Sequence, residues 1–252
     1  MSLDVTYFRI ERMIKSGAEC FLCALEDEIE RKYIDAYLSE LVMDSKAREK
    51  IVESRGFCNH HFYRMLIAAG KPESPDGHGI ALISQDIIEK LIQDLHKQKK
   101  NREKNFHQKE SIRNCPACVY MANLMKICNK KIVKLLSLNQ KEFLMLFKDS
   151  EGLCIPHFTA LINALKEVLH SKNWEAVETI IEIEEKNLRR LGSELAEYIR
   201  RQSYEFSDQD RRAVEDVLLR SVQKMVGRRG LKLRNVSVNR MRKKNVQPHS
   251  FK

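Results

Sequence analysis

Glycine and proline are scarce here, nine and five among 252 residues, and aromatic side chains make up only 7% of the chain. Sandwiches and barrels need frequent turn residues between β-branched and aromatic strands, so this composition excludes them. No uncharged apolar run approaches the roughly 18 residues of a membrane-spanning helix. The N-terminus meets Asp4, Arg9, Glu11 and Arg12 before any long apolar stretch forms, so no secretory signal is expected there. What remains is rich in Leu, Ile, Glu and Lys, with 43% hydrophobic and 32% charged residues. That mixture favours helices and suits a soluble, cytoplasmic, all-α protein forming one large domain or two modest ones.

Charge is unevenly placed. The chain carries a formal +10, yet eleven of its 45 basic residues follow Asp216, the last acidic one. Residues 1–216 therefore hold 34 basic and 35 acidic side chains, and the whole positive excess belongs to the C-terminal end. From Gly227 the helical periodicity fades into a basic arm containing Arg228, Arg229, Lys232, Arg234, Arg240, Arg242, Lys243 and Lys244. Such an arm is attracted to phosphate-rich surfaces, where each contact releases a condensed counterion. Nucleic acid is the expected partner, RNA or a ribonucleoprotein surface above all, with another polyanion as the wider class. A membrane is not expected, and protein partners remain open. A weaker basic stretch, from Lys97 to Arg113, reads as the solvated face of a long helix.

Six of the seven cysteines fall into two matching sets. Cys20-x-x-Cys23 is followed by Cys58-x-x-His61, and Cys115-x-x-Cys118 by Cys154-x-x-His157. The separations between the two pairs are 35 and 36 positions, and the flanks repeat as Gly56-Phe57-Cys58 and Gly152-Leu153-Cys154. Equivalent positions lie 95 or 96 residues apart, which points to an internal duplication. Three thiolates and one imidazole suit tetrahedral Zn²⁺, so two Cys₃His sites are expected, with four protein ligands closing each against substrate. On sequence spacing, each zinc would join a Cys-x-x-Cys to the Cys-x-x-His that follows it, across an intervening hairpin. Iron–sulfur ligation and disulfides are the competing uses of these cysteines. His61 is preferred to its neighbour His60, whose counterpart is Pro156. Cys128 has no counterpart and sits among apolar helical positions, as a buried free thiol would.

Apolar spacing predicts helices over 3–15, 21–43, 44–54, 61–70, a long one from Ile80 toward residue 110, then 117–136, 139–149 and 156–170. Trp174, Val177, Ile181, Leu188, Leu191, Leu195 and Ile199 mark the expected core face of another, and Ser207 caps a last helix reaching Gly227. The resulting organisation is a first zinc unit at 1–96, a basic connector at 97–114, a second unit at 115–226 and the arm at 227–252. Pro75-Asp76-Gly77-His78-Gly79 is explained by its turn residues. No hydrolase elbow, zincin motif or phosphate-binding glycine loop is present, so no catalytic residues are expected.

These motifs, with the segment Tyr198–Phe206 and the helix end at Met225-Val226-Gly227, resemble an uncharacterised archaeal and bacterial helical family catalogued as a domain of unknown function. The resemblance covers most of the chain and implies no activity. The arm after Gly227 extends beyond the shared pattern. The functional expectation is a zinc-stabilised, non-catalytic binding protein whose arm engages nucleic acid. The competing expectation is a thiol-based redox or metal-responsive protein that uses the Cys-x-x-Cys sites.

Overall fold

The computed structural model describes residues 4–70, 77–101, 115–138, 140–168 and 174–228. Every regular element among them is helical. Helix α1 spans Val5–Lys15, α2 Phe21–Ser39, α3 Ser45–Glu53, α4 Asn59–Ala69 and α5 His78–Asn101. They are followed by α6 Pro116–Ser137, α7 Lys141–Lys148, α8 Ile155–Val168, α9 Glu175–Arg200, α10 Asp208–Arg212 and α11 Asp216–Val226. No described helix is long and apolar enough to cross a membrane.

Local chemistry sets the helix starts. Asp4 caps α1 by accepting from Tyr7 N at 3.0 Å, and Asp44 caps α3 by accepting from Ala47 N at 2.7 Å. Ser207 and Asp210 form a reciprocal capping box at α10. The single last helix expected from Ser207 to Gly227 is instead two, because three-residue turns through Val214 and Glu215 interrupt it. In α5 the stripe beginning Ile80 and Ile83 is partly or fully buried through Leu91, but Leu95 is exposed, so the core ends before the helix does. The basic residues 102–113 lie outside the described residues.

The core forms two clusters that share α2. Its first half (Phe21, Leu22, Leu25, Ile29) joins α1, most of α6, α7, α8 and the start of α9. Its second half (Ile34, Tyr37, Leu38) joins α3, α4 and α5, together with Cys115 and Ala117 at the beginning of α6. Since α2 packs on α6 and each helix begins in the cluster where the other ends, the two run antiparallel. Tyr33 and Tyr120 mark the crossing, with ring centroids 4.9 Å apart.

Helix α9 corrects the expected core face. Val177 and Leu191 are buried as expected, but Trp174, Ile181, Leu188 and Ile199 are exposed, and Ala176, Ile180, Ile183, Glu184 and Asn187 are buried in their place. The buried stripe includes two polar side chains with a structural task near Gly152, and a reading by apolar residues alone rotates the helix away from them.

Candidate metal centres

Each Cys-x-x pair sits at the start of a helix. Cys20, Cys58 and Cys115 are the N-cap residues of α2, α4 and α6, and Cys154 immediately precedes α8. Cys20 Sγ accepts from Cys23 N at 3.4 Å, an orphan donor of the first turn. Pro116 opens α6 and Pro156 lies in the first turn of α8, where no N–H is required. Glycines place the Cys-x-x-His pairs: Gly56 and Gly152 have φ of +96° and +79°. A Cβ at Gly152 would lie 2.5 Å from Glu184 Oε2 and 3.0 Å from Asn187 Nδ2, so a side chain there has neither the backbone angle nor the space.

The ligands assemble across the halves of the chain. Cys20 and Cys23 meet Cys154 and His157; Cys58 and His61 meet Cys115 and Cys118. Within each set the four ligand atoms all lie within 4.8 Å of one another. The sequence-adjacent pairing is therefore wrong, although all eight residues are brought into four-ligand clusters. Neither residues 1–96 nor 115–226 contain a complete set. Helix lengths supply the reason. At 1.5 Å per residue α2 runs roughly 28 Å away from Cys20, whereas α3 returns by only about 14 Å before Cys58. The start of α6 instead brings Cys115 and Cys118 to Cys58 and His61, and the start of α8 brings Cys154 and His157 to Cys20 and Cys23.

Distances within the clusters suit one ion each. Cys23 and Cys154 sulfurs are 3.7 Å apart, and those of Cys58 and Cys118 are 3.8 Å apart. A regular tetrahedron with metal–sulfur bonds near 2.3 Å has sulfur–sulfur edges of roughly 3.8 Å. The sulfurs approach His157 Nδ1 at 3.2–3.5 Å and His61 Nδ1 at 3.1–3.4 Å. In both cases Nδ1 faces the cluster. All the cysteines are free thiols, and Cys128 is buried apart from both sets.

Helix α2 also supports the histidines from outside. Glu26 Oε1 lies 3.7 Å from His157 Nε2, and Glu30 Oε1 lies 3.4 Å from His61 Nε2. Carboxylates one turn apart thus face the outer nitrogens of both histidines, the arrangement that fixes ring orientation and raises ligand basicity. Glu30 further accepts from Arg64 Nε at 2.8 Å and lies 2.5 Å from His60 Nε2. Burial opposes ionisation of Glu30, but its hydrogen bonds with His60 and Arg64 outweigh it and hold the carboxyl below its ordinary range. His60 belongs to this group and to neither four-ligand set. Burial likewise disfavours the His157 cation, yet hydrogen bonds with Cys154, Cys20 and Glu26 lift its pKa to about 12. A soft cation would displace the protons these groups share.

Replacing Glu30 by Gln is expected to weaken metal binding at the second centre by about 10- to 100-fold, while the first centre keeps its affinity. Competition with a chromogenic chelator would measure both, and equal weakening of the two centres would count against the assigned role. Sequence reasoning missed Glu26 and Glu30, although their positions three and seven residues beyond Cys23 put them on its helix face. The loop before Cys154 is also held by groups that the sequence did not advertise. Leu153 N donates to Glu184 Oε2 at 2.9 Å, Lys224 Nζ donates to the Glu151 carbonyl at 2.9 Å, and Asn187 Nδ2 donates to the Ser150 carbonyl.

Of the basic arm, Arg228 is described. It pairs with Asp27 at 3.2 Å. Arg229, Lys232, Arg234, Arg240, Arg242, Lys243 and Lys244 lie outside the described residues.

The fold and these clusters define an all-α protein with two Cys₃His groups able to hold metal ions, each built from both halves of the chain. The chain belongs to a family of unknown function, DUF6062, whose model matches residues 1–231. No curated protein and no solved structure matches it.

Proposed function

We propose that the protein is a non-catalytic, zinc-stabilised helical binding protein whose basic arm engages nucleic acid, RNA or a ribonucleoprotein surface in particular. The two closed ligand sets carry this conclusion. Three thiolates and one imidazole fill the four positions of a tetrahedron and leave none for water or substrate, the mark of structural rather than catalytic zinc. Zinc is favoured over an iron–sulfur cluster because ligand atoms within 4.8 Å leave room for one ion and not for several irons and sulfides. Elemental analysis of protein purified without chelator or added metal is expected to give two zinc per chain. Iron with sulfide, or metal well below one per chain, would sink the assignment.

The order of helices supports duplication of one unit. A long, a short, a medium and a long helix run from α2 to α5 and again from α6 to α9. In this reading the two copies have exchanged metal ligands and become one folding unit.

Scaffold and arm divide the work by charge. Residues 1–216 are nearly neutral, so the positive field is concentrated beyond them, where it favours phosphate contacts without base specificity. A chain ending at Arg228 is expected to lose most of its affinity for single-stranded RNA. The slope of log K against log salt should fall by about 0.7 for each phosphate contact removed. Filter binding across a salt series would show this, and equal binding by full and shortened chains would remove the arm from the function.

A further inference from the structure

The two metal centres differ in what can reach them. At the first, Cys20 and Cys23 are each 5% exposed and Cys154 is fully buried. Gly227 lies against it, where a Cβ would be in ordinary contact at 3.5 Å from Cys154 Sγ and 3.8 Å from Cys23 Sγ. Cys20 and Cys23 do line a recess, with Ala18, Gln223 and Arg228, but its volume is about 20 Å³, room for roughly one water molecule.

The second centre opens onto a cavity of about 430 Å³. Cys58 and Cys118 form part of its wall, together with Glu26, Asp27, Glu30 and His60, whereas Cys115 is fully buried and does not line it. The two cavity-facing sulfurs are the ones 3.8 Å apart, and they come from different halves of the chain.

We propose that Cys58 and Cys118 are a modification site for a small neutral hydroperoxide, which converts them to a disulfide and releases the metal of the second centre only. The proposal rests on the assignment of that cluster as a metal centre. One thiolate attacks a peroxide oxygen, the O–O bond breaks, and the sulfur becomes a sulfenic acid while the other oxygen leaves as an alcohol or water after protonation. The second thiolate then attacks that sulfur; the S–S bond forms, the S–O bond breaks, and hydroxide leaves and is protonated to water. Two electrons pass from the two thiolates to the peroxide, and solvent supplies two protons. The sulfurs must close from 3.8 Å to about 2.05 Å. His61 and Cys115 alone then hold the ion too weakly to retain it.

Three features shape this chemistry. The cavity has ample space for hydrogen peroxide. Three carboxylates on its wall (Glu26, Asp27 and Glu30) against the two guanidiniums paired with them (Arg228 and Arg64) leave a negative balance that disfavours anionic oxidants such as oxidised glutathione. The new disulfide also joins the starts of α4 and α6, the same helices that the metal joined, so the cross-half tie is exchanged for a covalent one and the change is reversible by reduction.

The test uses the full chain. Metal content is measured first; the protein is then treated with limiting hydrogen peroxide while a chromogenic chelator reports release, and disulfides are mapped by mass spectrometry without reduction. One zinc per chain should be released, with a Cys58–Cys118 link, and dithiothreitol with added zinc should restore it. Oxidised glutathione at equal concentration should act roughly tenfold more slowly. Protein that carries no metal before treatment would overturn the metal-centre assignment and this site with it. Protein that starts with two zinc and releases none, loses both together, forms a Cys115–Cys118 or Cys20–Cys23 link, or reacts equally fast with both oxidants would overturn the modification site alone.

Discussion

Replacing Cys23 and Cys154 together by serine is expected to remove one metal ion per chain, whereas replacing Cys23 and Cys58 together removes both. The two double variants delete the same number of thiols, so composition and bulk reactivity cannot separate them. Only ligand grouping can. Cys23 and Cys154 belong to one cluster, while Cys58 belongs to the other. A pairing along the sequence reverses the outcome: Cys23 with Cys58 would then empty one site, and Cys23 with Cys154 would empty two. Elemental analysis of the purified variants decides between them.

Stability should follow the same grouping. Structural zinc contributes on the order of 10 kcal/mol in small peptides, an appreciable share of which is expected here because each ion joins helices from opposite halves. Loss of the first centre frees the start of α8 from α2, and loss of the second frees α4 from α6. The variant with one emptied site should therefore melt well below the parent, and the variant with two emptied sites should fail to give a cooperative transition. A Cys23 and Cys154 variant that kept its melting temperature would show that the fold stands without its first metal.

The ligands were legible in the sequence for a simple reason: coordination chemistry demands particular atoms, and Cys-x-x-Cys and Gly-x-Cys-x-x-His supply them locally. Grouping was not local. It depends on which helix packs against α2, a matter of long-range burial, although the mismatch between a 19-residue α2 and a 9-residue α3 already argues against return to Cys20. Most helix boundaries were legible too, because Asp4, Asp44 and Ser207 cap, and Gly56 and Gly152 break, by their own side-chain and backbone chemistry. The buried face of α9 was hidden by its polar members. Glu184 and Asn187 resemble surface residues until the backbone groups of Ser150 and Leu153 are known to need partners. Glu26 and Glu30 were hidden for the same reason, since an acidic residue on a helix is ordinarily solvated.

Lys224→Met is expected to destabilise the protein by about 3–5 kcal/mol, far more than loss of an exposed ion pair. Its ammonium is 1% exposed and lies 2.8 Å from Glu184 Oε1, itself on a side chain 4% exposed. The methionine can occupy the volume but leaves Glu184 buried without its countercharge, while the Glu151 carbonyl loses a donor. For a chain of this size that corresponds to a melting temperature lower by roughly 10 °C. Arg189→Ala offers the contrast: its partner Glu185 is a turn away on the same exposed helix face, and the change should cost no more than about 1 kcal/mol. Adding Glu184→Gln to Lys224→Met should recover part of the loss, because a neutral amide no longer needs a cation and its oxygen can still accept from Leu153 N. The damage should also be local to one metal. Glu184 and Lys224 hold residues 151–153, which place Cys154, so the first centre should bind metal more weakly and the second should be unchanged. Calorimetry of these three variants and of Glu184→Gln alone, with chelator competition at both centres, would test all of this. A loss under about 1 kcal/mol, strictly additive single changes, or equal weakening of both centres would each show that the buried pair does not hold the loop.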